Sequence, residues 1–463
     1  MGQTQPKTVQ GQGHFKREIG LFGGISLVAG MTIGSGIYYL GSYVLERAAM
    51  SMGMALLCWI VGGIVSILGG LCFAELGAAM PVAGGMTTYL SKAYHPAVGF
   101  VNGFSGFAIT CSGSIAALSM ACVTAFKDVF SLSEFAVKAI AIFIIVLFTL
   151  LNLRGVKGAS RFQNFTMVAR VVPLILIIFL GLTMGQESPD LSLGSVTAGA
   201  SIGQVIKMIA FATFASLWAY EGWTNLNTVA EEMKNPRRHL PQAIILSMGF
   251  ITVVYTLFNL ALYKVIPAGE VNSMIGAGNI YLGNEVALRV MGNLGKWIVL
   301  TGMAIGIIGT VNGDVLVFPR TYYAMAKGGY FPKMFTHIDQ RGIPREATLA
   351  SSAMSIILVV FNSLQGLTDL LIFTSALMNL LAIASVLVFR RKYPRMERPY
   401  KVWGGIPTIL LTILFFTILL VNEFISNPKN SLIGILILLL GLVFYAYFRK
   451  NSGGVEYDGD TMQ

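Results

Sequence analysis

Charged residues are scarce in this sequence of 463 residues, in which Asp, Glu, Lys and Arg together supply only 11%. Hydrophobic residues supply 55%, and the mean hydropathy is +0.71. A water-soluble domain needs more polar residues than this to cover its surface. The composition therefore excludes a soluble globular protein and predicts an integral membrane protein.

Cysteine and histidine are also rare, with four residues of each type. All four cysteines lie inside apolar runs, where packing is favoured over disulfide or metal chemistry. The histidines fall in predicted tails, loops and span ends, away from one another. The sequence therefore predicts no metal site, no catalytic residues and no cofactor, and it indicates that the protein is not an enzyme.

Long apolar runs, in contrast, fill nearly the whole chain. About twelve of them reach the length of roughly 20 residues that a membrane helix needs, and the polar segments between them are mostly short. The first run, 20–46, lacks a small-residue cleavage site and is expected to remain as a helix. The sequence thus predicts an all-α integral membrane bundle of about 12 transmembrane helices, without a sizeable soluble domain.

The basic residues indicate how this bundle is oriented. Most of the 32 Lys and Arg residues fall in alternate loops that would share one side of the membrane with both termini. The positive-inside rule then predicts that both termini are cytoplasmic, and the expected location is the cell membrane. The same bias explains the net charge of +11 through contact with membrane lipid, without nucleic acid.

Two of the apolar runs are interrupted at their centres. Gly34, Ser35 and Gly36 interrupt the first run, within "VAGMTIGSGIYYLGSYVLE", and Glu221 and Gly222 interrupt the sixth, 203–231. An unpaired backbone group in hydrocarbon costs several kcal/mol, so such a break persists only where protein, water or ligand satisfies it. A glycine pair also serves helix packing, but two breaks five spans apart favour an inverted five-plus-five repeat with a site between the breaks.

The free backbone groups at these breaks indicate what the site binds. The outer half of the first span starts near Ser35 with free N–H groups and the positive end of a helix dipole, which suits an anion. Free carbonyls near Thr32 and Ile33, and from Trp218 to Glu221, suit an ammonium group or a metal cation. An anion site beside a cation site predicts a zwitterionic ligand.

Four motifs resemble the L-type amino acid transporter group of the amino acid, polyamine and organocation superfamily, and in particular its bacterial alanine, serine and cysteine exchangers. They are "GMTIGSGIYYLGSYVL", "AELGAAMPVAGGMTTYLSKAY", "NLRGVKGASRFQN" and "LWAYEGWTNLNTVAEEMKNPRRHLP". The resemblance implies the LeuT fold, with broken helices 1 and 6 and two extra helices. The implied segments are an N-terminal cytoplasmic tail (1–18), a first repeat (19–185), a second repeat (203–389), helices 11 and 12 (404–448) and a C-terminal cytoplasmic tail (449–463).

The resemblance also implies the roles of single residues. The carboxylate of an amino acid would meet Ser35 and Gly36, and its ammonium group would meet carbonyls that include Thr32. Trp218 matches an aromatic gate, and Lys157 matches a lysine at a position where sodium-coupled relatives bind an ion. Without the resemblance, the favoured interpretation of Lys157 is an anchor at the membrane interface, and the resemblance reverses this preference. The predicted substrate site comprises Thr32, Ile33, Gly34, Ser35, Gly36, Trp218, Ala219, Glu221 and Thr310.

The predicted function is the sodium-independent exchange of small neutral L-amino acids by alternating access. A proton-coupled symporter is the alternative, since a buried lysine can carry a proton, and a transporter-like amino acid sensor is a second one. The outer loop after the third span, "FKDVFSLSE", has no cysteine for a disulfide-linked heavy chain, so a monomer is expected. Glu75, Arg170 and Asp314 are interpreted as structural partners or gates and not as substrate contacts.

Overall fold

Helices make up nearly all of the part of the chain that the computed structural model describes. The described residues are 17–34, 36–82, 84–124, 126–127, 130–193, 197, 199–276, 282–362, 364–426 and 428–451. Within them there is no β-strand, and one isolated parallel bridge joins Ile19 to Met233. The prediction of an all-α protein is confirmed.

The chain order of the helices follows the predicted spans. Those of the first half are α1 (Leu21–Thr32), α2 (Gly36–Arg47), α3 (Met52–Ala79), α4 (Met86–Ala93), α5 (Pro96–Ser105), α6 (Cys111–Thr124), α7 (Glu134–Asn152) and α8 (Val156–Met184). Those of the second half are α9 (Ile202–Ala219), α10 (Pro236–Tyr263), α11 (Ala268–Gly276), α12 (Leu282–Val317), α13 (Pro319–Lys327), α14 (Arg345–Phe361), α15 (Leu364–Lys392), α16 (Gly405–Ser426) and α17 (Pro428–Asn451).

The lengths of these helices suit a multi-pass membrane protein. Among the described residues, 9 helical stretches are long and apolar enough to cross a bilayer. Helix α14 is slightly shorter, with 17 residues. The first and sixth spans add apolar parts that are shorter because each span is interrupted, namely α1 and most of α9. This agrees with the predicted bundle of about twelve spans.

Both predicted breaks are present. Helix α1 ends at Thr32, Ile33 leaves the helix with a ψ of 82°, and α2 begins at Gly36. Helix α9 ends at Ala219, and the chain then turns through Gly222, which has a φ of 135°. Beyond that turn the sixth span continues as a 3-10 helix, Trp223–Glu232, and not as the α-helix of an ordinary span.

Two further interruptions escape the sequence analysis. In the third span a π-helical turn, Gly106–Thr110, joins α5 to α6, and the Cys111 N–H bonds to the Gly106 carbonyl. A π turn lengthens the hydrogen-bond step without leaving the helix, so the apolar run continues through it. Helix α12 is kinked at Gly292, which has a φ of 65°.

The broken first span lies at the centre of the bundle. Helix α1 packs against α8, α10 and α12, and α2 packs against α9. The last helices lie at the periphery, where α17 exposes Leu436, Leu439 and Val443. The fold therefore places both breaks in protein surroundings, as the cost of unpaired backbone groups in lipid requires.

Candidate substrate site

The two breaks lie against each other. A Cβ atom on Gly222 would lie 2.6 Å from Thr32 Oγ1 and 3.0 Å from the Thr32 backbone nitrogen. A Cβ atom on Gly36 would lie 3.4 Å from Ala219 Cα. The backbones of the first and sixth spans thus meet at glycines, and residues that are far apart in sequence form one site.

Tyr255, on α10, joins the two breaks with one hydroxyl group. Its oxygen lies 3.1 Å from the Thr32 carbonyl oxygen and 3.3 Å from that of Ala219. The Thr32 carbonyl also accepts the Gly34 N–H at 2.9 Å. Two carbonyls at helix ends therefore find donors within the protein. This role could not be predicted from sequence, because a single tyrosine in an unbroken apolar helix is normally a packing residue.

Thr310, on α12, lies beside the first break. Its Oγ1 donates to the Gly30 carbonyl at 3.0 Å or to the Gly306 carbonyl at 3.1 Å. The same oxygen would lie 3.5 Å from a Cβ atom on Gly34. The eighth span is therefore adjacent to the first, at the level of the break.

A cavity of about 190 Å³ opens at the breaks. A dry cavity of about 150 Å³ accommodates a molecule the size of benzene, so this one suits a small organic ligand. It extends past Thr228 and Thr321 towards the end of the bundle that holds α4 and α13. The lining includes six of the predicted site residues, which are Thr32, Gly34, Gly36, Ala219, Glu221 and Thr310.

The other predicted residues lie outside the cavity lining or outside the described part of the chain. Ile33 is only 1% exposed and packs in the core, outside the cavity lining. Ser35 lies outside the described residues. Trp218 belongs to α9 and Lys157 to the first turn of α8, but their side chains are outside the described part. Because α8 packs against α1 and α12, the helix that carries Lys157 lies beside the first and eighth spans.

The third, eighth and tenth spans contribute lining residues that the sequence analysis did not assign to the site. Asp314 accepts a hydrogen bond from Ser114 at 2.8 Å, and Asn379 Nδ2 lies 3.5 Å from Glu221 Oε1. The spacing could have indicated Asp314, since it lies four residues after Thr310 and so on nearly the same helix face. The remaining lining residues of the third and tenth spans include Asn102, Gly106, Thr110, Cys111, Leu371, Thr374, Ser375 and Met378.

Glu75 and Arg170 are the other two charged residues that the sequence places near or within the spans. Glu75 lies outside the cavity lining and accepts hydrogen bonds from Arg390 at 2.6 Å and from the Val402 N–H at 2.8 Å. It is therefore a structural partner, as predicted. The side chain of Arg170 is outside the described part of the chain.

Comparisons with known proteins agree with one another along nearly the whole chain. The amino acid permease family model matches residues 19–446. The human b(0,+)-type amino acid transporter 1 is 29% identical over 450 residues, which cover 96% of this chain and 89% of that protein. The serine/threonine exchanger SteT of Bacillus subtilis (strain 168) is 29% identical over 446 residues, 94% of this chain and 98% of that protein. The human cystine/glutamate transporter is 29% identical over 457 residues, 97% of this chain and 88% of that protein.

Proposed function

Because the chain belongs to the amino acid permease family and is an amino acid transporter, we propose that it exchanges small neutral L-amino acids without sodium. The observation that carries this proposal is the contact between the two breaks at one small cavity. Alanine, serine and cysteine are the proposed substrates. Alternating access would follow from movement of helix groups around this cavity.

The ends of the broken helices suit the main chain of an amino acid. The N–H groups at the start of α2, at Ser35 and Gly36, are proposed to bind the carboxylate. The carbonyls of Thr32, Trp218 and Glu221 are proposed to bind the ammonium group. Tyr255 has one hydroxyl proton for two acceptors, so it can keep its bond to Ala219 when an ammonium group takes the Thr32 carbonyl.

The size and lining of the cavity support a small substrate. Glycine, alanine, serine and threonine supply many of the lining residues, and about 190 Å³ suits few atoms beyond the main chain of an amino acid. The name of the relative SteT describes an exchanger of serine and threonine, whose side chains are small. The cavity therefore supports the proposed class of small substrates, and the name of SteT supports the proposed exchange mechanism.

Sodium independence is proposed from the surroundings of Thr310. Its hydroxyl bonds to the Gly30 carbonyl, so a protein donor already occupies that acceptor on α1. The helix of Lys157 packs against α1 and α12, and a lysine ammonium group there would take the place of a sodium ion. Trp218 is proposed as the aromatic gate over the substrate.

The arrangement in the membrane completes the proposal. We propose two repeats, 19–185 and 203–389, from the positions of the breaks. We propose cytoplasmic termini in the cell membrane from the positions of the basic residues. A monomer without a disulfide-linked heavy chain is proposed from the lack of cysteine between 125 and 134.

Counterflow in proteoliposomes tests the proposal. Labelled alanine should enter only when the vesicles contain unlabelled amino acid, and it should enter equally well in sodium and in choline buffer. Lys157→Ala should abolish exchange without lowering the amount of reconstituted protein, whereas Lys207→Ala, on the exposed outer part of α9, should not affect it. Uptake driven by a sodium or pH gradient would contradict the proposal, and so would binding without flux.

A further inference from the structure

The cavity has an excess of acidic groups. Asp314 and Glu221 both line it, and none of its described lining residues is basic. Asp314 is only 2% exposed. Among the described side chains, Ser114 donates a hydrogen bond to it. A carboxylate has about four acceptor positions, so Asp314 can accept further hydrogen bonds from the contents of the cavity.

The position of Asp314 separates it from the proposed main-chain site. It follows Thr310 by four residues on α12, or about 6 Å along the helix axis. Thr310 lies beside Gly34 at the first break, and Ser114 approaches Asp314 from α6. An amino acid held by its main chain at the break therefore has room to direct its side chain towards Asp314.

We propose that Asp314 selects substrates whose side chain carries a hydrogen-bond donor. This inference rests on the proposed function of the cavity. Among small neutral L-amino acids it favours hydroxylated ones over apolar ones of equal size, and it adds short diamino L-amino acids to the substrate class. Glu221 is less suited to this task because it lies within the break itself and next to Asn379. Asp314 is thus a specificity-determining residue, separate from the groups that bind the main chain.

The physical reason is the cost of a buried carboxylate that lacks donors. A hydroxyl group on the substrate adds a hydrogen bond to Asp314, and an ammonium group adds a charge-assisted one that is about twice as strong. A methyl group in the same place displaces water from the carboxylate and donates no hydrogen bond to replace it. Sites with buried polar groups reject analogues that leave those groups unpaired.

Three L-amino acids of the same shape test this directly. Norvaline, homoserine and 2,4-diaminobutyrate differ only at the end of the side chain, which is a methyl, a hydroxyl or an ammonium group. In competition with labelled alanine for wild-type exchange, we expect homoserine and 2,4-diaminobutyrate to inhibit at concentrations roughly tenfold or more below that of norvaline.

Two matched variants assign this ranking to Asp314. Asp314→Asn keeps the size of the side chain and should reduce the gap between 2,4-diaminobutyrate and norvaline by roughly tenfold or more. Asp190→Asn makes the same chemical change at an exposed residue and should leave the gap unchanged. Ser114→Ala removes a donor from Asp314 and should widen the gap.

Several outcomes would overturn the inference. The first is that norvaline inhibits the wild-type protein as strongly as homoserine and 2,4-diaminobutyrate do. The second is that Asp314→Asn leaves the ranking of the three inhibitors unchanged. The third is that Asp314→Asn changes only the pH dependence of exchange, which would indicate a proton carrier. The wild-type ranking decides the matter even where a variant does not fold. Absence of alanine exchange in the wild type would instead contradict the proposed function.

Discussion

Gly222 holds a backbone conformation that other residues adopt only at a cost. Its φ of 135° lies in the region that favours glycine, and Thr32 leaves no room for a Cβ atom on it. Gly34, at the first break, differs, since its φ is not positive. The first break lies where the sequence predicted it, and there Gly36 provides space for the close approach of Ala219.

We predict that Gly222→Ala reduces alanine exchange at least tenfold. Such a backbone conformation costs a residue other than glycine about 1–3 kcal/mol, and the methyl group would push Thr32 away from the contact between the breaks. The measurement is counterflow per amount of reconstituted protein, with thermal stability in detergent. Gly249→Ala is the control, because a Cβ atom there meets nothing within 4 Å. Wild-type exchange in Gly222→Ala would contradict this account of the break.

Tyr255 permits a second test at the scale of single residues. Tyr255→Phe keeps the ring and removes the hydroxyl that lies near the Thr32 and Ala219 carbonyls. The Thr32 carbonyl keeps the Gly34 N–H, but the Ala219 carbonyl loses the Tyr255 donor, at a cost of about 1–3 kcal/mol. Exchange should therefore fall about tenfold, since 1.4 kcal/mol is a factor of ten.

The matched control for this prediction is Tyr263→Phe on the same helix. The Tyr263 hydroxyl is buried and has no hydrogen-bond partner among the described residues. Its removal should therefore change exchange little. Equal effects of the two variants would show that the Tyr255 hydroxyl has no special role in joining the breaks.

Between elements, a buried ion pair connects the sixth and eighth spans at one end of the bundle. Arg320, on α13, donates from Nε to Glu232 at 2.6 Å, and the exposed fractions of the two side chains are 2% and 1%. The Ile19 N–H bonds to the Glu232 carbonyl at 3.1 Å, and the Lys234 N–H bonds to the Ile19 carbonyl at 2.9 Å. The segment before α1 is thereby tied to the same place.

We predict that Arg320→Met lowers the free energy of unfolding by about 3–5 kcal/mol, since it leaves Glu232 buried and unpaired. The double variant Arg320→Met with Glu232→Gln should recover part of this loss. Thermal unfolding in detergent measures both effects. Arg237→Met is the control, because its partner Glu397 and Arg237 itself are 70% and 57% exposed, and such pairs contribute about 0–1 kcal/mol. A similar loss in the control would contradict the special role of the buried pair.

The same elements show how far the sequence predicted the fold. Gly34 and Glu221 are conspicuous in apolar runs, so the breaks could be placed from sequence. The π turn at Gly106–Thr110 was missed, because hydropathy does not show whether a backbone hydrogen bond spans four or five residues. The short helices between the spans were missed because they are not long apolar runs. Asp314 was interpreted as a structural partner or gate, although its position four residues after Thr310 places it on nearly the same helix face as a predicted site residue.

At the scale of the whole molecule, the cavity belongs to neither half of the chain. The first half supplies the break at Thr32 and the third span, and the second half supplies Glu221, Thr310 and the tenth span. The sequence predicted a site between the halves from the two breaks alone. The third and tenth spans could not be assigned to it, because which of their faces turns towards the breaks is decided by packing.

This joint construction predicts that both charged ends of a substrate are needed. In the proposed mode, the start of α2 binds the carboxylate and the carbonyls of the two breaks bind the ammonium group, so a ligand with one end leaves buried groups unpaired. Each unmet group costs about 1–3 kcal/mol, which corresponds to roughly tenfold to a hundredfold weaker binding. Alanine and serine should therefore inhibit labelled alanine uptake, whereas ethylamine, propionate and polyamines should not.

Ethylamine and propionate are suitable controls for each other, since each keeps one charged end of alanine together with its methyl group. Inhibition by propionate alone would indicate that only the start of α2 binds the substrate, and inhibition by ethylamine alone would assign binding to the carbonyls. Competition by a polyamine as strong as that of alanine would point to a cation transporter in which the acidic residues Glu221 and Asp314 dominate the cavity. Only the failure of all three supports a zwitterion held between two broken helices.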